Sequence, residues 1–231
     1  MEALTRDDSR RQRTGGAAAI YLALAYIAAM PFFLLVVDYQ GATTAADKVA
    51  LVVGNYGSMY AMYLVTYVVF GFALGVLALA LYDRMKAIAP ATARAATAAG
   101  LLWAVALVTS GMVFNYGMTT VVSLAKTDLA AARLTWQAIE PVAQGLGGAG
   151  GEILGGLWVL LVSCVALRGR SLPKALCVLG IIIGVAGLVS AVPALNAAAY
   201  LFGLAQIVWF TCVGVVLLKT KAVAAAEGSQ R

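Results

Sequence analysis

Met59–Leu81, MYAMYLVTYVVFGFALGVLALAL, runs 23 residues without a charge and is closed by Asp83-Arg84. As a helix rising 1.5 Å per residue it extends about 35 Å, enough to cross a hydrocarbon core about 30 Å thick. Five further apolar runs lie outward from it: Ala17–Val37, Ala95–Val122, Val142–Leu167, Ala175–Val192 and Ala197–Leu218. The chain of 231 residues is 63% hydrophobic and 11% charged, with mean hydropathy +0.92. A soluble domain carries about 25% charged residues to cover its surface. The ten-residue alternating segments of a β-barrel do not occur. The sequence predicts an all-α membrane protein, a bundle of six transmembrane helices.

The charges orient the bundle. Thirteen of the sixteen Lys and Arg residues fall on one side: Arg6, Arg10, Arg11 and Arg13, then Arg84, Lys86 and Arg94, then Arg168, Arg170 and Lys174, then Lys219, Lys221 and Arg231. Lys48, Lys126 and Arg133 fall on the other. Cytoplasmic loops carry the basic excess, so both termini of this multi-pass protein are expected in the cytoplasm. The expected organisation is a cytoplasmic segment 1–16, a transmembrane domain 17–219 and a cytoplasmic tail 220–231. The first run exceeds a 7–15-residue signal-peptide core and lacks an A-x-A cleavage site, so it reads as a retained span.

Composition also excludes chemistry. The net charge of +6 flanks spans and does not form a nucleic-acid face. The absence of His removes His-ligated haem and zinc, His bases and His proton relays. Cys164, Cys177 and Cys212 are isolated within spans and read as small hydrophobes. No cofactor or metal is expected. The longest connection, Ser123–Pro141, places Leu129, Ala132, Trp136 and Ile139 at helical spacing opposite Arg133, Gln137 and Glu140. It predicts a short amphipathic helix in the outer loop between spans three and four.

Glu152 is the only charged residue within the six runs. A charge at the bilayer centre costs about 2.5–3.5 kcal/mol on insertion scales, which marks it as a site candidate. Depth counted from the basic anchors moves it to the outer half of the core, about 24 Å along the helix from Arg168. Tyr67, Ser110 and Ser190 fall at the same level, Gln206 slightly deeper, and Pro31 bends the first span there. Asn115 and Tyr116, with Thr119 and Thr120, make the outer end of span three polar, and Tyr56, Tyr60, Tyr63 and Tyr67 share one face of span two. These groups form either a solvent-accessible pocket or ordinary interhelical hydrogen bonds.

Around the carboxyl, Gly147, Gly151 and Gly155 are spaced by four, as are Gly148, Glu152 and Gly156. Small residues at this spacing let helix backbones approach, which turns Glu152 toward protein. The glycines also weaken the helix, so local unwinding is expected. Without a buried counter-charge the neutral acid is favoured, unless Lys126 or Arg133 reaches down from the outer loop. Gly180, Gly184 and Gly187 in the fifth run read as packing.

Arg168-Gly169-Arg170-Ser171-Leu172-Pro173-Lys174, followed by Leu179-Gly180-Ile181-Ile182-Ile183-Gly184 and by Gln206-Ile207-Val208-Trp209-Phe210 through Gly214, resembles the DUF4386 family of uncharacterised bacterial membrane proteins. The resemblance covers the second half of the chain. It implies a six-span unit with a basic Leu-Pro turn between spans four and five. Where such proteins tend to carry an acidic residue, this chain has Gln206. The family brings no established activity.

Two readings follow. One is a protein that binds or moves a small solute or proton through an outward-facing polar pocket at Glu152. The other is an accessory subunit whose glycine face docks a membrane-protein partner or a second copy. An intramembrane hydrolase of the Ser/His kind lacks its His and any GxSG.

Overall fold

The computed structural model describes residues 6–148 and 152–219, and these are helical with no strand among them. In chain order the helices are α1 (Arg6–Pro31), α2 (Ala45–Gly54), α3 (Tyr56–Tyr63), α4 (Phe70–Met85), α5 (Pro90–Leu124), α6 (Leu129–Gly147), α7 (Ile153–Gly169), α8 (Lys174–Val189) and α9 (Ala198–Lys219). Two π-helical turns, Phe32–Val36 and Leu64–Val69, continue α1 and join α3 to α4. Four segments are long and apolar enough to cross a membrane: Ser9–Val36, Tyr56–Met85, Pro90–Leu124 and Ala198–Lys219. The apolar helices α7 and α8 are shorter, at 17 and 16 residues.

Six helices close a ring in the order α1, α4, α5, α7, α8, α9 and back to α1, each packed on two neighbours, with α6 laid against α5. The ring interior is aromatic. Trp158, Trp209, Phe202 and Phe210 are fully buried, and Trp103 and Phe70 pack among them. A second core joins Val37, Tyr63, Phe114 and Trp136 beneath α2 and α6, and Tyr67 touches both cores. At one end, Arg11 lies 3.7 Å from Asp83, and the Arg84 Nε donates to the Ser171 carbonyl at 2.8 Å. The start of α1, the end of α4 and the α7–α8 turn therefore meet there.

Several sequence boundaries change. The segment expected to be a polar N-terminal piece is already helical from Arg6, and Gln12 is buried with its Nε2 donating to the Ala80 carbonyl at 2.7 Å. The unanticipated α2 is opened by Thr44 and Asp47, whose side chains each bond the other's backbone N–H. These bonds from Thr44 also hold the exposed Asp47 carboxyl below its ordinary pKa. The main correction concerns the fourth run. Val142–Leu167 is not one helix: α6 ends at Gly148, in the left-handed conformation with φ 101°, and α7 begins after Glu152. Glycine reaches this conformation without the Cβ clash that bars other residues, and dense glycine weakens the helix on either side. The amphipathic helix expected within Ser123–Pro141 also extends beyond it, since α6 runs Leu129–Gly147 and carries Pro141 internally.

Candidate functional site

Three interruptions of regular helix meet at one level. Beyond Pro31, which has no N–H to give, the chain widens into the first π turn, and the Val37 N–H donates to the Phe32 carbonyl at 2.9 Å. In the second π turn, the Thr66 hydroxyl bonds back to the Met62 carbonyl at 2.7 Å, a contact that bends helices. The Tyr21 hydroxyl, from α1, donates to the Val65 carbonyl of the same turn at 2.7 Å. Gly111 of α5 leaves room for it, since a Cβ there would come 2.7 Å from the Tyr67 Cβ. The third interruption is the break between Gly148 and Glu152.

Between them lies a cavity of about 170 Å³. Tyr26 and Phe33 form its wall from the first segment, and Thr66, Tyr67 and Phe70 form the wall around the second π turn. Leu107 closes it from α5, and Gly147 and Glu152 contribute the ends of the broken helix. The Tyr26 and Phe70 rings stand edge to face, 5.4 Å apart at 77°. The Glu152 backbone N–H donates to the Ser190 Oγ at 3.0 Å, and Ser190 donates to the Gly187 carbonyl at 2.7 Å. Its carboxylate makes no hydrogen bond or ion pair with any described residue, including Lys126 and Arg133. The carboxylate lies over Gly148, where a Cβ would meet its Oε2 at 2.8 Å.

The predicted neighbours divide. Tyr67 lines the cavity with Glu152. Ser110 is fully buried beside it, its hydroxyl donating to the Ala143 carbonyl at 2.7 Å. Ser190 reaches Glu152 through the backbone and not through the carboxyl. Three residues are not brought there. Tyr116 is 78% exposed, because its position on α5 faces away from the ring. Asn115 is buried elsewhere on α5, with its Oδ1 unpartnered. Gln206 is fully buried on α9 with neither polar atom of its amide partnered. Of the four tyrosines, Tyr56, Tyr63 and Tyr67 face α5 at Thr119 and Phe114, and Tyr60 is 38% exposed.

The glycines serve the chain's own packing. A Cβ on Gly147 would come 2.8 Å from Tyr67 and 2.9 Å from the Ser110 Oγ. On Gly155 it would meet Phe202 and Trp103 under 3 Å, and on Gly156 it would meet the Gly184 carbonyl and the Leu188 nitrogen of α8 at 2.8 Å. Gly151 lies outside the described residues.

Sequence reasoning missed the aromatic wall of Tyr26, Phe33 and Phe70, although the bend expected at Pro31 precedes Phe33 by two residues. It also placed Glu140 on a polar outer face. Glu140 is 6% exposed and its Oε1 accepts from the Lys48 Nζ at 2.6 Å, the Tyr39 hydroxyl at 2.9 Å and the Gln144 Nε2 at 2.9 Å. The Trp136 Nε1 in turn donates to the Tyr39 oxygen at 3.0 Å, and the Lys48 ammonium sits 5.4 Å from the centre of the Tyr39 ring. Burial raises the Tyr39 pKa well above its ordinary value, with the adjacent Glu140 charge and hydrogen bond adding to the effect. This cluster fixes α2 and the loop before it to α6, two turns before Gly147.

Fold and site together define the class: an all-α, multi-pass membrane protein with a small interhelical cavity. Comparison with family models, curated proteins and solved structures finds no match to the chain.

Proposed function

We propose that this protein binds a small solute in the cavity at Glu152, as a carrier or receptor of the bacterial inner membrane. The observation that carries the reading is an unpartnered carboxylate in a cavity built where three helix interruptions converge. Irregular backbone at membrane depth is tolerated where it lines protein or a cavity, and π turns concentrate at functional sites. The reading takes the ring helices as six crossings with both termini cytoplasmic. In that arrangement α7 and α8, about 26 and 24 Å long, stand near the short end of the spanning range. It keeps kinship with DUF4386-like proteins as a proposal resting on the second-half motifs. The docking reading is less favoured, since Gly155 and Gly156 are already occupied by α5, α8 and α9.

The test is a thermal-shift screen of purified protein against small amines, amino acids, organic acids and sugars between pH 5 and 8. A ligand at a hundred times its Kd stabilises by about 2.7 kcal/mol, or roughly 5–10 °C for a chain of this size. Glu152→Gln is expected to abolish the shift while leaving the protein monodisperse. A screen without any shift, or one that Glu152→Gln leaves intact, overturns the proposal.

A further inference from the structure

We infer that the occupant of the Glu152 cavity is a small organic monocation, an alkylammonium ion held between the carboxylate and an aromatic wall; this rests on the solute-binding reading above. The lining contains one acidic group and no Lys or Arg, and the chain has no His. An anion would meet the carboxylate with nothing to offset it. A neutral solute would leave the carboxyl without an opposite charge, and so as the neutral acid expected from the sequence. A cation supplies that charge and keeps the carboxylate ionised. Lys48 is committed to Glu140, and no Lys or Arg among the described residues lines the cavity.

The walls then decide between an inorganic and an organic cation. Hard inorganic cations take about six oxygen ligands. Here the side-chain oxygens are those of one carboxylate and the hydroxyls of Tyr26, Tyr67 and Thr66, and the Thr66 hydroxyl is already given to the Met62 carbonyl. No cluster of three or more acidic, Cys or His residues that could hold a metal exists among the described residues. By contrast, four aromatic rings, Tyr26, Phe33, Tyr67 and Phe70, surround the space. Ring faces attract weakly hydrated cations, and an aromatic box beside a carboxylate is the chemistry that recognises alkylated ammonium groups. The volume of about 170 Å³ suits a head group of a few carbons.

Titration calorimetry on the purified full chain, with methylammonium and tetramethylammonium chlorides as probes, tests this against sodium chloride, tert-butanol and sodium acetate. Saturable binding of an ammonium probe is expected, with neither tert-butanol nor acetate competing. Glu152→Gln is expected to weaken it about tenfold or more. Tyr26→Leu is expected to weaken it roughly 2- to 30-fold, with Tyr26→Phe restoring most of the loss. The Tyr26 pair keeps the test decisive should Glu152→Gln fail to fold. Binding of acetate or tert-butanol that depends on Glu152, without ammonium binding, overturns the cation assignment and leaves the solute pocket standing. Equal competition by sodium overturns the aromatic argument. Absence of binding by every probe here, together with an empty thermal-shift screen, overturns both readings.

Discussion

Replacing Lys48 by Met removes the ammonium that lies 2.6 Å from the Glu140 Oε1 and leaves the methylene stem in place. The size of the effect follows from burial. Glu140's side chain is 8% exposed and Lys48's is 27%, so the pair is neither a surface bridge, worth about 0–1 kcal/mol, nor a sealed one. A sealed pair loses about 3–5 kcal/mol when one partner goes, because the other charge is stranded. Here Glu140 keeps Tyr39 and Gln144 as donors. The expected loss is that of one charged hydrogen bond with partial access to water, about 2 kcal/mol. For this chain length that lowers the Tm by roughly 4–8 °C. Glu140→Leu costs a comparable amount by stranding the Tyr39 hydroxyl and the Gln144 amide, while Lys48 turns to water. In the double variant no charge is left unpaired, so the two losses do not add, and a coupling of about 1–2 kcal/mol is expected. Thermal unfolding in detergent at neutral pH measures all four proteins. Repeating it in 1 M salt, where the Debye length is about 3 Å, should leave most of the coupling intact. Losses that add within about 0.5 kcal/mol, or a coupling erased by salt, would show that the pair is an ordinary surface contact.

Three further outcomes follow from other contacts. Gln206→Met deletes a fully buried amide with no partner, and should raise unfolding stability by about 1–3 kcal/mol; a lower Tm means that the amide is held by something. Gly156→Ala drives a Cβ to 2.8 Å from the α8 backbone, whereas at Gly145 nothing lies within 4 Å. The first should destabilise by about 1–3 kcal/mol, and Gly145→Ala should be neutral or stabilising by up to about 1 kcal/mol; equal Tm changes refute the close α7–α8 approach. Because the Tyr39 pKa is raised on folding, its contribution is complete below the ordinary tyrosine value of 10.0 and fades as pH climbs above it. Tyr39→Phe should therefore show a shallower loss of stability between pH 10 and 11.5 than the unsubstituted protein.

The apolar runs were legible because membrane spanning is a requirement on composition, and a charge such as Asp83 or Lys219 marks where a run stops. Their interiors were not. A π turn is a change of hydrogen-bond partner, and Leu64–Val69 has the composition of any apolar helix. Pro31 announced a bend without saying which side chains it would turn inward. Glu140 was misplaced for a related reason. A helical wheel of α6 has one apolar face at Trp136, and everything opposite reads as solvent-facing. The partner that draws Glu140 inward, Lys48, is 92 residues away on a helix the apolar runs did not reveal. That helix did carry a local sign, the Thr44-to-Asp47 spacing of a capping box.

Two hydroxyls of the predicted level, Ser110 and Ser190, are joined by Thr66 and Tyr21, which the sequence reading did not place there. Ser110, Ser190, Thr66 and Tyr21 do not bond one another; each donates to a backbone carbonyl, at Ala143, Gly187, Met62 and Val65. Ser190 additionally accepts from the Glu152 N–H. The reason is that interrupted helices release backbone groups at a depth where water cannot satisfy them. A break at Glu152 and a π turn at Val65 thus demand hydroxyls nearby, and the hydroxyls so used are no longer available to a solute. What remains uncommitted is the Glu152 carboxylate and the rings of Tyr26, Phe33, Tyr67 and Phe70. Functional candidates at such a layer are therefore found by subtraction: a polar group already bonded to the backbone belongs to the fold, and the one left facing a cavity without a partner belongs to the site.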